Sequence, residues 1–255
     1  MERRNEEKNY IYGIRSIIEA IESGEEIDKI LIRNNLNGDL YRELSVLVKE
    51  RGIPVQRVPE EKLNRITRKN HQGTIAFISP VRYYDLEELV TSLYEDGAVP
   101  FFILLDGITD TGNFGAIART ATCAGVDAIV IPEKGSVSVT PAAIKTSAGA
   151  LFHIPVCRVK SIRDAVKTLK NNGVRVVGAS EKASELFSKI DYTEPVAVVM
   201  GAEDKGISPE VLKLCDNLVS IPMMGEVASL NVSVAAGVMM YQAVMQRLER
   251  GMEID

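Results

Sequence analysis

Short apolar runs alternate with segments of helical periodicity over most of residues 99–250. The apolar runs contain few polar residues, which is typical of strands in a parallel sheet covered by helices on both faces. This alternation predicts an α/β fold for residues 99–255. The predicted strands are Phe101–Leu105, Ala128–Ile131, Ile154–Val159, Val174–Gly178, Ala197–Met200 and Leu218–Ile221. The predicted helices are Asn113–Ala124, Pro141–Ala150, Ser161–Asn171, Pro209–Leu214 and Leu230–Leu248.

The first 80 residues form a smaller α/β pattern. Three helical segments alternate with three short strands, and Pro80 ends the last strand because proline cannot continue a central strand. A further helix and the polar loop 95–98 follow. We therefore predict an N-terminal domain at 1–80, a linker at 81–98 and a second domain at 99–255. The N-terminal helices are predicted at 14–21, 40–49 and 60–68, and its strands at 29–32, 53–58 and 74–79.

Composition excludes several classes of protein. The longest apolar runs are too short to span a bilayer, and the charged N-terminus has no apolar signal-peptide core. We therefore expect a cytoplasmic protein without a membrane partner. Neither the two histidines nor the three cysteines follow a metal-ligand pattern, so we expect no metal site and interpret Cys123, Cys157 and Cys215 as small buried thiols.

The net charge of −5 argues against a non-specific nucleic-acid binder. The charge is uneven, however, since the first 82 residues carry a small positive balance and the remainder a negative one. A local basic patch can bind phosphate even when the whole chain is acidic. Composition alone therefore leaves an RNA or phosphate ligand open.

Three unusual loops follow strands of the second domain. The first, 106–120, is rich in glycine but has neither a dinucleotide fingerprint nor a phosphate-binding lysine. In it, Asn113 is either a helix N-cap or a site residue. Arg119 lies in an apolar helix, where an arginine is costly unless it is functional, ion-paired or extended to solvent.

The other two loops also carry polar residues between glycines. In the second, Glu203 lies between Gly201 and Gly206, ahead of a helix that Ser208 and Pro209 begin. In the third, the chain passes Gly225 and enters a helix that we expect to open with residues 229–231. Ligands of parallel sheets bind beyond the carboxyl ends of the strands, so the three loops predict one site.

These loops together resemble the three motifs of the SpoU/TrmH family of RNA ribose 2′-O-methyltransferases, within the SPOUT superfamily. The resemblance covers residues 99–250. It is carried by Asn113 with Arg119-Thr-Ala, by Gly201-Ala-Glu203 with Gly206, and by Ile221-Pro with Ser229-Leu-Asn231-Val-Ser233. Segments 9–14, 71–76 and 145–155 are further similar to the RlmB-type 23S rRNA guanosine methyltransferases.

The resemblance implies a SPOUT domain with a deep trefoil knot and a small N-terminal RNA-binding domain similar to a ribosomal-protein fold. It also implies a homodimer that methylates structured RNA, with a guanosine of 23S rRNA favoured. The implied cofactor is S-adenosylmethionine, held by Gly201, Gly206, Ile221, Met223 and Leu230, with Gly201 making room for it. The implied catalytic residues are Arg119, Asn113, Glu203, Ser229 and Asn231.

Several alternatives remain open at this point. Arg119 is either a general base or, in our preferred interpretation, an electrostatic orienter that Glu203 fixes by an ion pair. The wide apolar face of the last helix is buried either within the domain or in a dimer. The chain could instead methylate tRNA or another rRNA ribose, or be a non-catalytic ribosome-assembly factor.

The RNA contacts are predicted from a cluster of basic residues near the end of the third helix. Cations at that position also fit compensation of the helix dipole, so a purely structural role is an alternative. The predicted RNA-binding residues are Arg65, Arg68, Lys69, His71 and Lys145.

Overall fold

The chain is divided into two units, Met1–Arg82 and Tyr83–Asp255, each with its own sheet. The computed structural model describes residues 9–251. The charged N-terminus and the last four residues of the predicted second domain therefore lie outside the described residues. No helix within 9–251 combines the length and the apolar character that crossing a bilayer requires.

A four-stranded mixed sheet organises the first unit. Strands β2 and β3 are parallel, β4 is antiparallel to both β1 and β2, and the strand order is β1-β4-β2-β3. The elements are β1 Tyr10–Tyr12, α1 Ile14–Glu22, β2 Ile27–Arg33, α2 Asp39–Glu50, β3 Val55–Val58, α3 Glu60–Ile66 and β4 Thr74–Ile78. The edge strand β1 was not predicted, because three residues are too few for a periodicity.

Helices cover both faces of this small sheet. The isoleucines of α1 repeat at helical spacing and are buried against Leu44 of α2, Ile30 and Ala76, as their periodicity predicts. On the opposite face, Leu63 of α3 packs against Leu31, Val58 and Ile75. The unit thus has two small cores, one on each face.

An eight-stranded parallel sheet organises the second unit, which confirms the predicted α/β class. The strand order is β10-β12-β9-β11-β6-β7-β8-β5. Its strands are β5 Tyr83–Tyr84, β6 Phe101–Asp106, β7 Ala128–Pro132, β8 Val156–Val159, β9 Arg175–Ala179, β10 Glu185–Leu186, β11 Val196–Gly201 and β12 Asn217–Ser220. Its helices are α4 Leu86–Glu95, α5 Thr111–Cys123, α6 Pro141–Thr146, α7 Ile162–Asn171, α8 Pro209–Leu212 and α9 Val232–Glu249.

The predicted linker 81–98 contributes mostly to this second unit. Strand β5 pairs with β8 at the edge of the sheet. Leu86 and Val90 of α4 are buried in the same core cluster as α7 and α8. Alternate strand residues such as Phe101 and Ile103 are also buried and face the other side, where α5 packs against α6 and α9. Most residues of the predicted linker therefore belong to the sheet and the core of the second unit.

Two predicted helix boundaries differ from the structure. Helix α6 ends at Thr146 and not at Ala150, because Ala148 and Gly149 adopt positive φ angles of 52° and 87° that no right-handed helix contains. The last helix begins at Val232, so Ser229 and Leu230 belong to the loop before it. Residues 224–231, which precede this helix, are exposed.

Candidate active site

A cavity of about 390 Å³ lies at the carboxyl ends of β9, β11 and β12. This position is the one expected for a ligand of a parallel sheet. The loops after these strands surround the cavity together with the start of α9. All five residues of the predicted cofactor set line it, namely Gly201, Gly206, Ile221, Met223 and Leu230.

The loop 201–206 folds tightly on itself beside this cavity. Ala202 and Gly206 exchange two backbone hydrogen bonds, with N–O distances of 3.2 and 2.7 Å. A methyl group on Gly201 would lie 2.1 Å from the Gly206 carbonyl carbon and from the Ile207 nitrogen. Gly201 therefore makes room for its own loop. That it also makes room for the cofactor stays a prediction, although Gly201 does line the cavity.

Glu203 joins side chains from all three motif loops. Its Oε1 accepts hydrogen bonds from Asn113 Nδ2 at 2.9 Å and from Asn231 Nδ2 at 2.8 Å. Asn231 Nδ2 also donates to Asn113 Oδ1 at 3.0 Å. Glu203 and Asn231 follow Asn113 by 90 and 118 positions in the sequence, yet the three side chains meet in one cluster. We call Asn113, Glu203 and Asn231 the polar cluster.

Two helices begin at the polar cluster. Asp110 is the N-cap of α5 and accepts from the backbone of Asn113, so the alternative that Asn113 is the cap is wrong. This frees the Asn113 side chain for Glu203. Asn231 caps α9 and accepts from the Ser233 backbone at 2.9 Å. Helix N-termini favour negative charge, so the starts of α5 and α9 stabilise the Glu203 carboxylate.

A second cavity of about 260 Å³ adjoins the first. It is lined by 107–110, Asn113 and Val232, and it shares residues 202–204 with the first cavity. The polar cluster therefore separates two adjoining spaces. Such an arrangement can hold one reactant on each side of a fixed carboxylate and two amides.

Arg119 lies apart from both cavities. Its side chain is exposed, and it follows Asn113 by six positions, which directs the two side chains about 120° apart around the helix. Across residues 9–251, the structure shows no ion pair or hydrogen bond of its guanidinium. The predicted Arg119–Glu203 pair is therefore wrong within one chain, since Glu203 Oε1 is held by two amides instead.

Ser229 lines the larger cavity, as does Asn231. Sequence reasoning missed two further contributions. Ala179, the last residue of β9, and residues 180–182 after it line the same cavity. They could have been identified because ligands of parallel sheets bind beyond the carboxyl ends of the strands. The carboxylate of Asp106, at the end of β6, accepts from the Ser208 nitrogen at 2.7 Å and so fixes the end of the 201–206 loop.

The predicted RNA-binding residues divide into two groups. Arg65, Arg68 and Lys69 are exposed at or just after the end of α3, and Lys145 is exposed on α6 but lines neither cavity. His71 differs because it is buried.

Both ring nitrogens of His71 are engaged within the unit. Its Nε2 lies 3.0 Å from Asn64 Oδ1, and its Nδ1 accepts from the Gly73 nitrogen at 3.0 Å. His71 therefore holds the loop before β4, and we no longer assign it an RNA contact.

Among residues 9–251, no three His, Cys, Asp or Glu side chains are grouped so that they could bind a metal ion. Cys157 is buried, and burial with the nearby Asp85 charge raises the pKa of its thiol to about 12. Burial also raises the pKa of Cys215 to about 11. Cys123 is exposed, contrary to its prediction as a buried thiol, because it lies at the solvent side of the α5 end.

Comparisons with known proteins find relatives along nearly the whole chain. The SpoU rRNA Methylase family matches residues 100–241, and the family described as RNA 2′-O ribose methyltransferase substrate binding matches residues 10–84. A Bacillus subtilis protein named for the TrmH family of tRNA/rRNA methyltransferases is 36% identical, over 95% of this chain and 98% of its own. A Staphylococcus saprophyticus protein named likewise is 38% identical, over 94% and 97%.

Solved structures show the same relationship. The SpoU methyltransferase AviRb from Streptomyces viridochromogenes, crystallised with AdoMet, matches with a TM-score of 0.59 and 27% identity over 97% of this chain and 95% of its own. An AdoMet-bound rRNA methyltransferase from Sinorhizobium meliloti matches with a TM-score of 0.59 and 26% identity, over 98% and 90%. The chain therefore belongs to the SpoU/TrmH family of RNA methyltransferases.

Proposed function

We propose that the chain transfers a methyl group from S-adenosylmethionine to a ribose 2′-hydroxyl of structured RNA. The observation that carries this proposal is the polar cluster beside two adjoining cavities. Its three side chains come from three separate loops, and none of them is needed for the core. The substrate-binding family that matches residues 10–84 supports an RNA substrate.

The larger cavity fits the cofactor. Its walls combine backbone of the 201–206 loop with the apolar side chains of Ile221, Met223 and Leu230. Such a lining suits a ligand with an aromatic base and several polar groups. When bound, S-adenosylmethionine supplies a methyl group on a positively charged sulfur, so no metal is required for the transfer.

A 2′-hydroxyl is a weak nucleophile and a very weak acid. Its proton leaves to water as the methyl group is transferred, so the protein must orient the hydroxyl and stabilise the negative charge that develops on its oxygen. We propose that Glu203 and the two asparagine amides orient the reacting groups between the cavities. Ser229 contributes from the wall of the larger cavity. Arg119 stabilises the developing negative charge and is not the base, because a guanidinium remains protonated.

Arg119 can do this only if it reaches a site other than that of its own chain. We therefore propose a homodimer. Helix α9 exposes Val234, Tyr241 and Met245, which are 51%, 47% and 54% accessible. Helix α5 packs against α9, and a methyl group added at Gly237 would lie 3.6 Å from the side chain of Thr120, the residue after Arg119. A second copy docked on α9 would bring Arg119 to the interface.

A guanosine of 23S rRNA is the substrate that we favour. The two-domain arrangement and the rRNA methyltransferases among the solved relatives support it by analogy. The Bacillus relative is named for both tRNA and rRNA, so a tRNA ribose or another rRNA ribose is the second candidate. A non-catalytic assembly factor is less favoured, because such a protein has no need of the polar cluster.

We also propose the deep trefoil knot and the ribosomal-protein-like fold of the first unit. In support of the knot, the chain leaves β11, forms β12 on the far side of β9, and returns so that α9 packs against α5. A crystal structure in which the C-terminal segment passes through no loop would contradict the knot. We also propose a cytoplasmic location, where such an RNA substrate would be found.

Two measurements test the proposed function. Isothermal titration calorimetry should detect binding of S-adenosylmethionine to the purified protein. Mapping of ribose methylation by mass spectrometry in a deletion strain should reveal one position that loses its methyl group, and transcripts containing that position should be methylated in vitro. Absence of cofactor binding, or an unchanged methylation map, would contradict the proposal.

A further inference from the structure

Four side chains share one face of the small sheet in the first unit. Tyr10 is paired in register with Phe77, and Phe77 with Lys29, so these residues form a row across three neighbouring strands. Tyr12 follows Tyr10 by two positions on the edge strand and therefore projects from the same face. We call Tyr10, Tyr12, Phe77 and Lys29 the aromatic face. All four are half-buried, so each retains some contact with solvent.

Helix α3 covers only part of this side of the sheet. It packs through Leu63 onto Leu31, Val58 and Ile75, which are fully or nearly buried. Tyr10, Tyr12 and Phe77 border this cluster without being enclosed by it. The cluster anchors the inner edges of the rings, and ring surface remains available beside it.

The rings are arranged as a connected platform with cations beside them. The ring centroid of Tyr10 lies 6.1 Å from that of Phe77 and 6.5 Å from that of Tyr12. Lys29 Nζ lies 5.3 Å from the centroid of Phe77, and Lys69 Nζ lies 5.8 Å from that of Tyr12. The Tyr10 hydroxyl donates to the carbonyl of Ile66, which holds that ring against the end of α3.

We propose that the aromatic face binds unpaired nucleotides of the RNA substrate. Their bases would stack on the rings of Tyr12 and Phe77, while Lys29 and Lys69 contact the flanking phosphates. Aromatic side chains on a sheet are a general way to bind unstacked bases, because every base has a π-face. Paired bases are stacked inside a helix and cannot reach the rings.

Charge supports this choice of partner. The exposed cations Arg65 and Arg68 lie at or just after the end of α3, next to Lys69, so phosphates leaving the aromatic face would meet further positive charge. The inference rests on the proposed function, since it names the form of RNA that the first unit recognises. It predicts that the substrate presents a loop, bulge or single-stranded end to this unit.

The test compares ring-removing with ring-retaining variants of the full-length protein. Tyr12→Leu and Phe77→Leu keep an apolar side chain but remove the ring, whereas Tyr12→Phe and Phe77→Tyr keep the ring. Affinity is measured with a short single-stranded RNA and with a blunt-ended RNA duplex, and the substitutions should leave the affinity for the duplex unchanged. Each Leu variant should bind the single strand about tenfold more weakly, and both ring-retaining variants should bind it as the wild type does.

Ultraviolet cross-linking of the wild-type protein gives a second readout that needs no variant. Cross-links to the single strand should map by mass spectrometry to Tyr12 or Phe77. Leu variants that melt like the wild type and bind with its affinity would overturn the inference. So would cross-links that lie only elsewhere, even if the Leu variants fail to fold.

Cofactor calorimetry and methyl transfer distinguish failure of this inference from failure of the proposed function. Normal methyl transfer by Tyr12→Leu and Phe77→Leu, with unchanged RNA affinity, would contradict RNA binding by the aromatic face but not the proposed function. If the protein does not bind the cofactor but the Leu variants bind RNA more weakly, the proposed function is contradicted and the inference about the aromatic face is supported.

Discussion

At the scale of single residues, the candidate site centres on one carboxylate and two amides that lie outside the hydrophobic core, although Asn231 also caps α9. Glu203 is exposed, yet it accepts from both asparagines of the polar cluster. The cluster therefore fixes the relative positions of three loops without contributing to the core. Replacing Glu203 should therefore lower the activity and leave the stability of the protein nearly unchanged.

Replacing Glu203 by Ala tests that separation. We expect methyl transfer to fall about 100-fold, since loss of one preorganised polar group at a reacting centre has effects of this size. The free energy of unfolding should change by less than about 1 kcal/mol, because the side chain is exposed. Glu210→Ala, an exposed acid outside both cavities, is the control. Equal loss of transfer in both variants would contradict the assigned role.

Gly201 and Gly225 allow a second comparison, in which each glycine is replaced by alanine. A side chain at Gly201 would overlap backbone of residues 206 and 207, whereas a methyl group at Gly225 would meet nothing within 4 Å. We expect Gly201→Ala to lower the free energy of unfolding by about 3 kcal/mol and to weaken cofactor binding. Gly225→Ala should be near neutral in urea denaturation followed by circular dichroism. Wild-type stability of Gly201→Ala would show that the loop adjusts freely.

At the scale of elements, one arginine fastens the last helix to the sheet. Arg247 of α9 donates to the carbonyls of Tyr192, Val99 and Pro100 at 3.0 to 3.3 Å and lies 5.0 Å from the ring centroid of Phe101. It thereby connects the C-terminal helix to the start of β6. Helix α9 in turn carries Asn231 to the polar cluster.

Arg247→Ala should lower the free energy of unfolding by about 3 kcal/mol, because half-buried carbonyls would lose a charged donor. Arg250 provides the comparison on the same helix end. Its ion pair with Glu194 is more than half exposed, so Arg250→Ala should cost about 1 kcal/mol or less. Chemical denaturation of both variants measures the difference, and equal effects would exclude the fastening role.

Asp216 makes a pH-dependent connection between α7 and β9. It accepts from Lys170 Nζ at 2.7 Å and from the Val176 nitrogen at 2.8 Å. Burial raises the pKa of this carboxyl, but the hydrogen bonds from Lys170 and Val176 and the charges of Lys170 and Arg175 outweigh it, so the pKa is lowered.

A lowered pKa in the folded state gives stability that is present above the unfolded value of about 3.9 and is lost as the pH falls through the folded value. Asp216→Asn should therefore be less stable than the wild type at pH 7. The difference should shrink as the pH falls below about 4. Urea denaturation across this range measures it, and a difference independent of pH would contradict the role of the charge.

At the scale of the whole molecule, the proposed dimer makes a prediction that one chain cannot meet. If Arg119 serves the site of the second copy, mixing Arg119→Ala with Glu203→Ala after joint refolding should restore about one quarter of wild-type activity, since half of the dimers are mixed and each has one intact site. Each variant alone should remain nearly inactive. No recovery on mixing, with mixed dimers verified by mass spectrometry, would place Arg119 in its own chain's site or outside catalysis.

The class of the fold, and the edge of the sheet where a ligand is expected, follow from local sequence patterns. Continuous apolar strands require a parallel sheet covered on both faces, and the loops after its strands must meet at one edge. The three motif loops could therefore be assigned to one pocket, and the residues of the predicted cofactor set do line it. The isoleucine face of α1 was predictable for the same reason, since it depends only on helical spacing.

Which side chains contact one another around that pocket depends on the folded chain as a whole. Asp110, one turn before Asn113, takes the N-cap and leaves Asn113 to bond Glu203. Arg119 points away from Glu203 because of its rotation around α5, and His71 is buried because Asn64 and Gly73 hold its ring. Such contacts depend on competition between partners distant in sequence, and local patterns carry no information about which partner prevails.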